Sequence, residues 1–213
     1  MTGKILDLIK EKYSLSPIDA GDLATLKASG MKFSVEAYKA EGLGHVSVMR
    51  AKGFFGLMKM DTLIINPTEI DLPLYSYDRI LAMGNDTLIV ELYDTVVGEY
   101  SDAQLTKVKE KFASLPERDP GEHWYDSIKL ASSISKKGKK IAQELDQLTI
   151  EHFRAYLESS PATVTDGKSK KDMAAVYVNG LLEKGGPSTD VFKKELGVDK
   201  TTKLFRKILF GTE

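Results

Sequence analysis

Apolar positions along the chain follow two different periods. At the amino end Ile5, Leu8 and Ile9 form the stripe of a helix, and Leu23 and Leu26 continue a helical pattern after Pro17. Ser16 and Pro17 suit the cap and first turn of a second helix, which Gly30 would end. From Lys32 to Val97 the period becomes two. Phe33, Val35 and Ala37 alternate with Lys32, Ser34 and Glu36, and Val46 and Val48 alternate with Ser47 and Met49. The runs Met58 to Ile65, Leu74 to Met83 and Thr87 to Tyr93 follow. Turn signals separate them at Gly42 to Gly44, Gly53 to Gly56, Asn66-Pro67 and Gly84 to Asp86. Strands with links this short leave no room for helical crossovers, so the pattern predicts an antiparallel meander of five strands.

Helical spacing returns in the second half. Leu105, Val108 and Phe112 share a face after Ser101, and Ile141, Leu145, Leu148 and His152 align between Lys139 and Glu158. A further helix starts at Asp172, carries Met173, Val176, Tyr177 and Leu181, and ends at Gly185-Gly186. Leu115 to Glu122 reads as a polar loop and Ser159 to Lys171 as a polar linker. The tail from Ser188 to Leu209 is helical, with a break near Gly197. Strands followed by helices predict an α+β fold in one domain over residues 1–213.

Composition narrows the chemistry. The 213 residues are 42% hydrophobic and 29% charged, enough for a sizeable core. Thirty Lys and Arg against 31 Asp and Glu leave a net charge of −1, which argues against a globally basic nucleic-acid binder. The absence of cysteine removes disulfides, thiolate nucleophiles and cysteine-held metal or iron–sulfur sites. His45, His123 and His152 have no metal-ligand spacing, so no metal site is expected. No apolar run approaches the ~18 residues of a membrane span, and the first residues lack the apolar core of a signal peptide. These features predict a cytoplasmic protein without membrane or nucleic-acid partners. Phosphate-binding glycine loops and the signatures of serine hydrolases and zinc proteases are also missing.

Two segments carry a more specific signal. The first is Leu63-Ile-Ile-Asn-Pro67 followed by Asp71-Leu-Pro-Leu-Tyr-Ser-Tyr-Asp78. The second is Val198-Asp-Lys-Thr-Thr202 with Phe210-Gly211 closing. In this order they resemble the motifs of the ferredoxin-dependent bilin reductases, over about residues 30 to 211. The resemblance implies a three-layer α/β/α sandwich with a central antiparallel sheet flanked by helices. It implies reduction of a linear tetrapyrrole by electrons from reduced ferredoxin or flavodoxin, with no intrinsically bound cofactor and with protons supplied by side chains. It assigns the principal proton donor to Asp78, a second one to Asp199 and contact with the substrate propionates to Lys200. Thr62 stands where some members carry a histidine, Arg50 lies near a glutamate position of the preceding strand, and Val198 replaces an asparagine. Two alternatives stay open: a non-catalytic tetrapyrrole carrier, and a reductase of another modified tetrapyrrole, such as a relative of the red chlorophyll catabolite reductases.

The residues themselves fit those roles to different degrees. Asp78 alternates with Leu74, Ser76, Ile80 and Ala82, so it sits within an apolar strand face. Desolvation there would raise its pKa and keep a proton available near neutrality. Asp199 also reads as a helix N-cap after Gly197, and Lys200 as a solvated lysine. Glu91 falls on the same side of its strand as Thr87, Ile89 and Tyr93, as a buried carboxylate beside Asp78 or as a polar residue of a half-exposed strand. Arg50 offers a bidentate fork for a propionate. Basic runs at Lys136 to Lys140, at Lys168 to Lys171 and in the carboxyl-terminal helices offer a rim for an acidic ferredoxin or flavodoxin. Tyr75, Tyr77, Trp124 and His152 read as packing residues.

Overall fold

The computed structural model describes residues 1–159, 163–186 and 188–213. Helix α1 (Thr2–Lys10) precedes strands β1 (Leu15–Ile18), β2 (Thr25–Ala28), β3 (Met31–Ala40), β4 (Gly44–Gly53), β5 (Met58–Pro67), β6 (Leu74–Ala82) and β7 (Asn85–Tyr93). Helix α2 (Ala103–Lys111), strand β8 (Ile134–Gly138) and helices α3 (Ala142–Leu157), α4 (Gly167–Lys184), α5 (Thr189–Leu196) and α6 (Val198–Lys203) follow. A π-helical turn over Leu204–Leu209 continues α6. The strands form one antiparallel sheet in the order β1-β3-β4-β5-β6-β7-β8, and β2 lies next to β1 along the same edge of β3.

The sheet divides the core in two, because a period of two sends alternate side chains to opposite faces. On one face Val46, Val48, Leu63, Ile65, Tyr75, Tyr77, Leu88 and Val90 pack against α1, α2 and α3. On the other, Phe33, Val35, Met49, Ile64, Leu74 and Tyr93 pack against α4, α5 and the π-helical turn. The architecture is therefore the expected sheet between helices. The turn is tied down by three side chains of the sheet. His45 Nε2 lies 2.8 Å from the Ile208 carbonyl, Ser47 Oγ donates to that of Leu209 at 2.7 Å, and Asn66 Nδ2 donates to that of Phe210 at 2.8 Å. Gly211 is required beside it, since φ is +60° and an added Cβ would overlap the His45 ring.

Three elements differ from the sequence expectation. The segment from Leu15 to Ala28 is not a second helix but two short strands on the edge of β3. Pro17 has no N–H to donate and is accommodated on such an edge, while Leu26 and Ala28 are buried around an exposed Lys27 in a period of two. Gly30, at φ +73°, turns the β2–β3 hairpin rather than ending a helix. Strand β8 escaped the pattern because its middle residue, Lys136, is buried, donating to the Leu115 carbonyl at 3.0 Å and to Glu117 Oε1 at 2.5 Å. Helix α4 begins five residues before Asp172. Asp166 caps it, accepting from the Lys168 and Ser169 amides. The predicted linker from Ser159 thus ends earlier, and its residues 160–162 lie outside the described residues.

Lys170, read as part of a basic rim, is instead a buried fastener. Its ammonium donates to the carbonyls of Leu72 and, at 2.8 Å, Thr95, and it pairs with Asp71 at 3.2 Å. Asp71 also accepts from the Val97 amide at 3.0 Å and the Gly98 amide at 2.7 Å. One ion pair thereby ties α4 to the link before β6 and to the segment after β7. Removing one member of such a pair strands the other charge out of water, at about 3 kcal/mol. Asp71→Ala should lower the unfolding free energy by that order. Lys170→Met should cost less, because Asp71 keeps its two amide donors. Urea unfolding of both variants checks the ranking, and an Asp71→Ala midpoint equal to wild type would contradict it.

Candidate functional site

Strand β6 places the central residue. Leu74, Ser76, Asp78, Ile80 and Ala82 face α4, whereas Tyr75 and Tyr77 are buried on the opposite face, where Tyr75 packs on Phe153 and Tyr156 with centroids at 5.4 and 4.7 Å. Register supplies the neighbours of Asp78. Thr62 of β5 and Ile89 of β7 stand directly opposite, Met49 lies beyond Thr62, and Glu91 is two positions along β7 on the same face.

The carboxyl of Asp78 is held away from its usual ionisation range. Burial raises its pKa, the Thr62 hydroxyl donating to Oδ1 lowers it, and the negative charge of Glu91 raises it again, with the net value pushed up to about 6. The side chain is half-buried rather than sealed, so it remains reachable from the open part of the face.

Three tyrosines surround Glu91. The Tyr93 hydroxyl donates to Glu91 Oε2 at 2.5 Å, and the Tyr177 hydroxyl lies beside that of Tyr93, with ring centroids 4.1 Å apart. Tyr125 meets both rings edge-on, at 5.5 Å from Tyr93 and 5.8 Å from Tyr177. Burial first, and the nearby carboxylates second, push the Tyr125 phenol well above its ordinary value, so it stays a neutral donor. Toward solvent, Lys129 Nζ is 3.8 Å from Glu91 Oε1 and 2.6 Å from Asp126 Oδ1. The His123 ring stacks on Tyr125 at 4.9 Å. Trp124 anchors this loop by donating from Nε1 to the Gly185 carbonyl at 3.0 Å. Gly180 makes that packing possible, because a Cβ there would overlap the indole.

From Asp78 toward the β6–β7 turn, Met58, Met60, Ile80, Ala82 and Ile89 form a half-buried apolar shelf on the same face. Arg118 stands at its β8 edge. The Arg118 amide donates to the Ser135 carbonyl at 3.0 Å, and Nη1 reaches Ser135 Oγ at 3.3 Å. A flat apolar ligand on the shelf would thus meet a proton donor at one end and a cation at its side. Among the described residues no group of three His, Asp or Glu side chains could hold a metal ion, and no helix is long and apolar enough to cross a membrane.

The remaining sequence candidates are dispersed. Asp199 is exposed in the first turn of α6, and Lys200 pairs with Asp22 at 2.9 Å near the β2 edge. Strands β4 and β5 separate β3 from β6, a lateral offset of about 14 Å at three strand spacings. Asp199 and Lys200 therefore do not join the Asp78 set. Arg50 points to the other face of the sheet, bound to Glu36 at 2.8 Å and to Thr2 at 3.2 Å. Thr62 and Glu91 are brought to Asp78. His152 is a core residue, as read: its Nε2 is 3.2 Å from the Ser132 carbonyl and burial pulls its pKa down to about 4. Sequence reasoning missed Tyr93, Tyr125, Tyr177 and Arg118. Tyr93 shares the period of Glu91 and was open to discovery, whereas Tyr125 and Arg118 lie in loops without periodicity.

No family model matches the chain, and no curated protein matches it by sequence. Among solved structures it is similar to phytochromobilin synthase from tomato, determined in complex with biliverdin, with a TM-score of 0.73 and 14% identity. The likeness covers 100% of this chain and 83% of that one, and it establishes a common fold.

Proposed function

We propose that the protein reduces a linear tetrapyrrole bound on the shelf beside Asp78. The observation that carries this reading is the half-buried Asp78 carboxyl, bound by the Thr62 hydroxyl and sharing its face with Glu91, at the head of an apolar strand face. The fold shared with a protein solved with biliverdin supports the substrate class. Saturating one double bond takes two electrons and two protons. The electrons come one at a time from reduced ferredoxin or flavodoxin, which is oxidised. The first makes the pigment a basic radical anion, and Asp78 gives it a proton from Oδ2, since Oδ1 is engaged by Thr62. The second electron and proton complete the reduction. Glu91, with Tyr93, Tyr125 and Tyr177 around it and Lys129 at its solvent side, returns protons to Asp78. Arg118 takes a propionate, in a position that neither Lys200 nor Arg50 occupies.

A carrier without redox chemistry is favoured by one feature, Thr62 in place of histidine. Mixing the protein with biliverdin should shift the visible band, and adding reduced ferredoxin should then convert the pigment. A shift without conversion by ferredoxin or flavodoxin would select the carrier. No shift with any open-chain tetrapyrrole defeats both readings.

Asp78→Asn should keep the band shift and slow conversion by at least about a hundredfold, in the range typical of lost general acids. Conversion at the wild-type rate would remove Asp78 from the mechanism. Because the acid form is the active one, the protonation step should slow as pH rises above about 6. Asp78→Asn should lack that inflection.

Stability should follow the same group with a defined sign. The folded state holds the Asp78 proton to about pH 6, whereas a solvated aspartate releases it at 3.8. Between those values the folded state binds more protons, so this group makes stability fall as pH rises. The two-unit difference corresponds to up to about 3 kcal/mol. Asp78→Asn should therefore gain on wild type between pH 4 and pH 7 in thermal unfolding. A constant difference across that window would show that the carboxyl is not perturbed.

A further inference from the structure

Three hairpins turn at one end of the sheet, at Ser29-Gly30, Phe54 to Leu57 and Met83-Gly84. The middle one is unusual. Phe54 and Phe55 both adopt the left-handed region, at φ +51° and +55°, where bulky residues are strained. Neither ring gains burial in return. Phe54 is 56% exposed, Phe55 fully so and Leu57 70%, and on the adjoining hairpin Met83 is 90% exposed. These apolar groups project from the fold instead of packing on it.

Directly behind the tips runs a row of like charge. Lys27 is registered opposite Lys32, Lys32 opposite Lys52, and Lys52 opposite Lys59, so four ammonium groups cross four adjacent strands on one face. Like charges in directly opposed positions destabilise a sheet. All four lysines are exposed, and among the described residues no ion pair or hydrogen bond engages their ammonium groups. Lys139 and Lys140, also exposed, extend the positive charge beyond the end of β8.

We propose that this hairpin end docks on an anionic lipid bilayer. Phe54, Phe55 and Leu57 enter the boundary between headgroups and acyl chains, and the lysine row lies along the acidic headgroups. Charge complementarity and shape select this partner. Four unpaired lysines on flexible stems suit a diffuse sheet of negative charge, which they reach while their methylenes stay in the interface. Leu57 and Met83 add aliphatic surface that a nucleic acid cannot stack upon, and a protruding tip suits insertion better than it suits a flat protein surface. The expectation of no membrane partner rested on missing spans, and an interfacial contact needs none.

Co-sedimentation of the full chain with phosphatidylcholine vesicles, with and without phosphatidylserine, tests this. The protein should pellet with the phosphatidylserine vesicles only, and less as salt rises. Phe54→Ser/Phe55→Ser should weaken binding by about tenfold or more at unchanged charge, as should Lys52→Glu/Lys59→Glu. All four positions are exposed, so each variant should unfold like wild type. Lys168→Glu/Lys171→Glu, which changes exposed lysines on α4, should bind as wild type. Three results would each overturn the proposal: no preference for phosphatidylserine, equal loss in the α4 variant, or undiminished binding without the two phenylalanines. Binding to single-stranded oligonucleotide in place of vesicles would overturn it too.

Discussion

A one-residue shift of β6 between β5 and β7 would exchange Tyr75 and Tyr77 for Ser76 and Asp78. The shift would bury a carboxyl among α3 aromatics and turn two large rings toward α4. Neither face tolerates it, because Tyr75 is held by Phe153 and Tyr156 and the Tyr156 hydroxyl donates to the Pro73 carbonyl at 2.9 Å. The register of β6 is thus set by packing on the face remote from the site. Everything on the near face inherits its position from that choice, including the Thr62 contact and the diagonal approach of Glu91.

The second constraint is electrostatic. Two carboxyls on neighbouring strands, partly out of water, cannot both ionise freely. Glu91 has a phenol donating to it and an ammonium nearby, whereas Asp78 has only the Thr62 hydroxyl. Asp78 therefore meets burial and the negative charge of Glu91 with a single donor against them, and its pKa is pushed up to about 6. The tyrosines contribute to the site through Glu91, which the Tyr93 hydroxyl holds in place.

Much of this was legible in the chain and some was not, for identifiable reasons. Turn signals and period two placed β3 to β7, and with them the shared face of Asp78 and Glu91, although burial alternates cleanly along β3 and not along β4 or β5, where helices cover both faces. The amino-terminal strands were obscured by their length, since four residues around Leu26 fit two periods equally well. Buried Lys136 and Lys170 misled because their ammonium groups are satisfied by partners distant in sequence. Arg50, read as a fork for a propionate, lies on the α1 face with Glu36 and Thr2, which spacing from a motif does not reveal. Asp199 and Lys200 matched a motif in sequence while α6 holds them above the β2 edge.

The His45, Ser47 and Asn66 bonds to the π-helical turn join partners 144 to 163 residues apart. All eight strands have left the ribosome before that turn can dock. Until then the stretch of β3 and β4 that the turn covers is bare to water and to chaperones. This face of the sheet consequently closes after the scaffold has formed, and a nascent chain stalled short of Leu204 would leave part of it uncovered before quality-control proteases.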